Sequence, residues 1–150
     1  MGWPMATTPP AKASGHPPNM YPIACDDDVV QFRHRVREAA IAAGLRLIDQ
    51  TKLVTAASEL ARNALEHGGG GLGEVCSPET VGRAGVRLIV EDDGPGIPDI
   101  ALAMTDGVSG VSGGGTLGMG LPGARRLVDS FEVWSEVGVG TCVTVEKWAL

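Results

Sequence analysis

The chain has 150 residues, enough for one domain with a hydrophobic core and too few for two. A hydrophobic content of 43% with 20% charged residues suits a soluble globular protein, and a net charge of −6 argues against a nucleic-acid surface, which needs a basic patch. Cys25, Cys76 and Cys142 lack disulfide or zinc spacing, and neither a signal leader nor a membrane-length apolar run is found, so a reduced cytoplasmic protein with no membrane contact is expected.

Residues 1–22 hold six of the ten prolines and one charged side chain, Lys12, which predicts a disordered tail ahead of a single domain over residues 23–150. Ile23–Cys25 reads as a short edge strand. Asp26, Asp27 and Asp28 then suit a helix N-terminus, capping free amides and opposing the dipole. That helix runs from Val29 to Ala43, buries Val29, Phe32, Val36, Ala40 and Ala43, and stops at Gly44. Its arginines, Arg33, Arg35 and Arg37, form its solvated side.

A second helix is expected over Asp49–His67, closed by Gly68–Gly69–Gly70–Gly71. Leu53, Val54, Ala57, Leu60, Ala61, Ala64 and Leu65 form its apolar stripe. Glu59, Asn63 and His67 stand at i, i+4 and i+8 along one edge of that stripe, so a carboxylate and a carboxamide would face the lip of a cleft. Taken alone, the same residues could be a solvated flank with a Glu59–Arg62 ion pair.

Leu72–Ser77 reads as a short strand and Pro78–Gly85 as a polar connection. Val86–Asp92 is the clearest strand, and period-two alternation places Asp92 on the apolar face of Val86, Leu88 and Val90. A carboxylate there is costly without a partner, and it leads directly into Gly94–Pro95–Gly96. The alternative is a surface turn with Asp92 as turn former. Residues 98–116 show little regular pattern and read as a lid. Gly118–Met119–Gly120–Leu121–Pro122–Gly123 opens a helix near Leu121, where free amides could meet a phosphate. It follows no strand, which counts against a dinucleotide site. Strands Phe131–Val137 and Thr141–Trp148 close the chain as a hairpin around Gly138–Val139–Gly140.

Three signals therefore stand in one order: Glu59–x–x–x–Asn63 on a helix, Asp92–x–Gly94–x–Gly96 at a strand end, and Gly118–x–Gly120 after a loose segment. With Gly140–Thr141, this resembles the GHKL (Bergerat-fold) ATPases, the family of Hsp90, DNA gyrase, MutL and the histidine kinases. Ala57–Asn63, Glu91–Ile100 and Gly118–Asp129 make the chain most similar to the subgroup of bacterial anti-sigma regulatory serine/threonine kinases. The resemblance spans roughly residues 25–148. It implies a two-layer α/β sandwich, with a mixed, mostly antiparallel sheet backed by helices. Patterning by itself supports only a mixed α/β class.

The resemblance further implies ATP and Mg²⁺ as cofactors. Asn63 would be the metal ligand and Glu59 the general base. Asp92 would accept a hydrogen bond from the adenine amino group, with Gly94 and Gly96 passing close to the base and Thr141 helping to hold it. Gly118 and Gly120 would hinge the lid. His67 stands near a position used for phosphate contact, although Glu66 beside it breaks the usual basic pattern; the alternative is a helix-end cation. The implied activity is γ-phosphoryl transfer to a serine or threonine of a STAS-type antagonist protein, with a phosphatase or sigma factor as a further partner. A second reading is an ATP-dependent binding module without catalysis. A histidine kinase ranks low, because His34 lacks the context of a phospho-accepting histidine.

Overall fold

A computed structural model describes residues 19–78, 82–105 and 120–150. The element order is β1 (Met20–Ile23), α1 (Asp26–Ala42), α2 (Leu47–Gly68), β2 (Gly71–Cys76), β3 (Gly85–Asp92), α3 (Ile100–Ala103), α4 (Gly120–Arg126), β4 (Ser130–Glu136) and β5 (Gly140–Trp148). The five strands form one sheet in the order β1-β2-β3-β5-β4. All four ladders are antiparallel, so the sheet contains no parallel pair among the described residues.

The register explains the two layers. Val86, Leu88 and Val90 of β3 lie opposite Lys147, Val145 and Val143 of β5, and Gly73 and Val75 of β2 continue that face. These side chains meet the buried stripe of α2, in which Leu53, Ala57, Leu60, Ala61 and Ala64 are almost fully covered. Phe32 of α1 is completely buried and enters where Gly73 has no side chain: a Cβ there would lie 2.6 Å from its ring. Full burial of Phe32, Leu53, Leu60 or Leu88 stabilises the fold by roughly 1.5–3 kcal/mol each.

The structure moves several expected boundaries. The tail cannot extend to residue 22, because Met20–Ile23 pair with Glu74–Gly71 as an edge strand, a position that tolerates Pro22. Residues 1–18 lie outside the described residues. Helix α1 begins at Asp26, and its three aspartates occupy the first turn rather than the cap position. Asp28 reaches back to accept the Ala24 amide at 2.8 Å, so it holds the entering chain and leaves the helix amides alone. At the other end, Gly44 takes φ +85° and the Leu45 amide returns to the Ala40 carbonyl at 3.0 Å, as expected of a glycine stop.

Helix α2 starts at Leu47, two residues before the expected Asp49. The segment read as irregular contains a one-turn helix, α3, whose Leu102 amide is capped by Asp99 Oδ1 at 3.0 Å. Helix α4 packs on α2 and buries Leu121, Pro122, Gly123 and Ala124. Among the described residues, no helix is long and apolar enough to cross a membrane.

Candidate functional site

Two element ends meet at the rim of the sheet: the last turn of α2 and the last residue of β3. Alternation along β3 brings Asp92 onto the helix-facing side, as read from the sequence, and places it against Gly68. Its Oδ1 accepts the Gly94 amide at 2.8 Å, the ordinary geometry of an Asx turn. Burial raises the Asp92 carboxyl above its usual range. The Gly94 amide opposes this, Asp93 adds to it, and the Thr141 amide and His67 charge oppose it in turn; burial prevails. Asp92 makes no ion pair among the described residues.

The loop after Asp92 is fixed to the β4–β5 hairpin. Gly96 takes φ +81°, and any Cβ on it would collide with the Glu136 carbonyl. The Gly138 amide donates to the Pro95 carbonyl at 2.9 Å. Ser135 ties the parts together: its Oγ accepts the Ile97 amide at 2.7 Å, donates to the Gly140 carbonyl at 3.0 Å and lies 3.0 Å from Thr141 Oγ1. With its one proton given to Gly140, Ser135 must accept from the Thr141 hydroxyl. Thr141 is thereby left with free acceptor lone pairs.

A cleft of about 220 Å³ opens between α2 and this loop. Asn63, His67, Asp92, Gly96, Gly120 and Thr141 line it, and its apolar walls come from Leu60, Ala64, Val90, Ile97, Leu121 and Val143. Six of the expected site residues are therefore brought together. Gly94 stands just behind Asp92. His67 lies at the Asp92 end, where its charge acts on that carboxyl. Gly118 falls outside the described residues.

Glu59 has a different setting. It is only 5% exposed and does not line the cleft. Its Oε1 accepts the Gly120 amide at 3.2 Å, and Oε2 is 4.0 Å from Arg62. The Glu59–Arg62 ion pair of the alternative reading is thus present, on a buried side chain rather than a solvated flank, and the carboxylate anchors the start of α4.

Three contributors escaped the sequence reading. Ser135 could be identified only once the register placed it opposite Thr141. Val143 had a usable signal, since alternation puts it on the Thr141 face. Gly68 was grouped with the helix-terminating glycines, although it is still helical.

No group of three or more His, Cys, Asp or Glu side chains able to hold a metal occurs among the described residues. A magnesium ion would suit the cleft only as a companion of phosphate oxygens, with Asn63 as a single protein ligand, which accords with the habits of that ion. The cleft fits a purine better still. Its apolar walls can cover the faces of a flat base, and a semi-buried acceptor stands at the end.

Comparison with known proteins places this architecture. Residues 48–149 match the family described as histidine kinase-, DNA gyrase B- and HSP90-like ATPase. The chain belongs to that family. It is 44% identical over 121 residues to the serine/threonine-protein kinase RsbT of Bacillus subtilis (strain 168), covering 81% of this chain and 89% of that one. A solved structure of the RsbU and RsbW domains of a Mycobacterium tuberculosis protein superposes with a TM-score of 0.58 at 23% identity, covering 87% of this chain and 32% of that one. Full-length ShkA in complex with AMPPNP gives a TM-score of 0.53 at 23% identity, covering 93% of this chain and 33% of that one. This chain spans about a third of each of these two longer proteins, and both likenesses concern the fold.

Proposed function

We propose that the protein is a serine/threonine protein kinase of a bacterial partner-switching pathway. It transfers the γ-phosphoryl group of ATP to a serine or threonine of a STAS-type antagonist protein in the cytoplasm, and on release it activates a downstream partner, a phosphatase or a sigma factor. The observation carrying this reading is the Asp92 carboxylate: half-buried, without an ion-pair partner, and at the end of an apolar cleft in a chain similar to RsbT. An adenine amino group supplies a further donor to a carboxylate that otherwise accepts backbone amides.

In this reading Thr141, oriented by Ser135, contributes an acceptor near the base. Gly96 keeps the loop close, and His67 borders the base rather than the phosphates. Asn63 would hold the Mg²⁺, which would supply neutralisation of the phosphate charge. Gly120, with Gly118 before it, hinges the lid at the phosphate end, its own amide being held by Glu59. Glu59, one turn from Asn63, takes the proton of the incoming hydroxyl as its oxygen bonds to the γ-phosphorus and ADP leaves.

One observation favours the non-catalytic binding module: Glu59 is engaged with Gly120 and Arg62, off the cleft wall. The test separates the two. Glu59→Gln should lower phosphoryl transfer to a STAS-type substrate by roughly 10²–10⁴-fold, the usual worth of a general base, with ATP affinity little changed. Transfer at the wild-type rate would remove Glu59 as base and favour the binding module.

A further inference from the structure

We propose that Gly68 is a positioning residue for nucleobase recognition: its missing side chain is the space in which the Asp92 carboxyl group stands. A Cβ built on Gly68 would fall 2.5 Å from Asp92 Cβ and 2.6 Å from its Oδ1. Gly94 packs directly against Gly68, where a Cβ would lie 2.5 Å from the Gly68 α-carbon and 2.9 Å from Asp92 Oδ1. The end of α2 and the loop after β3 thus both lack a side chain where this one carboxylate stands. The inference rests on the reading of Asp92 as acceptor of the adenine amino group.

Backbone conformation does not account for Gly68. It is the last helical residue of α2 and is not among the positive-φ glycines. Alanine is locally the better residue in a helix. Gly69, the next residue, is the opposite case. It takes φ +74° with nothing within 4 Å of a built Cβ, so conformation alone requires it. Neighbouring glycines therefore serve two purposes that substitution can separate. A methyl group at position 68 must push the Asp92 side chain aside and break its 2.8 Å bond to the Gly94 amide.

The experiment uses the full chain and two nucleotides, ATP and purine riboside triphosphate, which lacks the exocyclic amino group. Calorimetry should give the wild type a preference for ATP of at least tenfold. Gly68→Ala should bind ATP at least tenfold more weakly and lose the preference, whereas Gly69→Ala should melt lower and keep it. Should Gly68→Ala melt too low to assay, adding Asp92→Gly should raise the melting temperature above that of Gly68→Ala, because the collision is then gone. Retained preference in Gly68→Ala, or no such rescue, overturns the inference and leaves the Asp92 reading intact. A wild type that binds both nucleotides equally overturns the Asp92 reading itself, and the inference with it.

Discussion

Each end of α2 has an aspartate withdrawn from solvent, Asp49 buried and Asp92 half-buried, and the two are treated in opposite ways. At the N-terminal end Asp49 is 6% exposed, accepts Arg46 at 3.1 and 3.2 Å, and lies 3.6 Å from Lys147 Nζ. Lys147, itself buried, also reaches Asp129 at 3.6 Å. Burial alone would raise the Asp49 carboxyl, but Arg46 and Lys147 outweigh it and hold it below its ordinary value. At the C-terminal end Asp92 has backbone amides and a nearby His67 in place of such cations, and its carboxyl is raised. The difference separates a carboxylate that completes the fold from one that awaits a ligand.

The largest expected effect comes from removing the shared cation at the compensated end. Lys147→Ala leaves Asp49 with Arg46 alone and Asp129 without its ion pair, and should lower unfolding stability, read by denaturant titration. Unchanged stability would mean that the cluster does not compensate its carboxylates. Next is Asp92→Asn, which keeps the shape and an acceptor but loses the charge. ATP binding should weaken by about 1.5–3 kcal/mol, the worth of a hydrogen bond to a charged group, and calorimetry with and without Mg²⁺ measures it. The same variant should melt slightly higher at neutral pH, since a carboxylate that is costly to ionise is gone.

A smaller loss, about 1 kcal/mol of ATP affinity, is expected for Ser135→Ala, which frees the Thr141 hydroxyl and releases the Ile97 amide. Affinity equal to the wild type would show that Thr141 is held by the cleft without Ser135.

The pH dependence of stability sharpens the contrast, because the two ends have opposite signs. The folded Asp49 carboxyl lies below its ordinary value of 3.8, so its contribution is present above 3.8 and is lost as pH falls through the folded value. The folded Asp92 carboxyl lies above 3.8, so its cost is absent below 3.8 and develops as pH rises through the folded value. Asp49→Asn should therefore flatten the acid limb of a melting-temperature profile, and Asp92→Asn should flatten the rise in cost above it. Parallel profiles for the two variants would erase the distinction. Cys142, pushed up to about 12 mainly by burial, stays a thiol throughout and adds nothing to either limb.

The sequence by itself determined which faces are buried. The α2 stripe, the alternation of β3 and the hairpin around Gly138 were legible because helix and strand periods are local properties of the chain. The order of Glu59–Asn63, Asp92–Gly94–Gly96 and Gly118–Gly120 was legible as a set of motifs, and the family came from the resemblance of that set, not from periodicity. Only the tertiary structure decided how those residues are supported. Ser135 reaches Ile97 across 38 positions, and Glu59 reaches the Gly120 amide across 61. Asp92 finds room because Gly68, on another element, has no side chain. Met20–Ile23 becomes a strand only because β2 offers an open edge to pair with. Periodicity reports the direction in which a side chain points; which distant group it meets is set when the layers close, since burial then leaves each polar atom to find a partner or a vacant space.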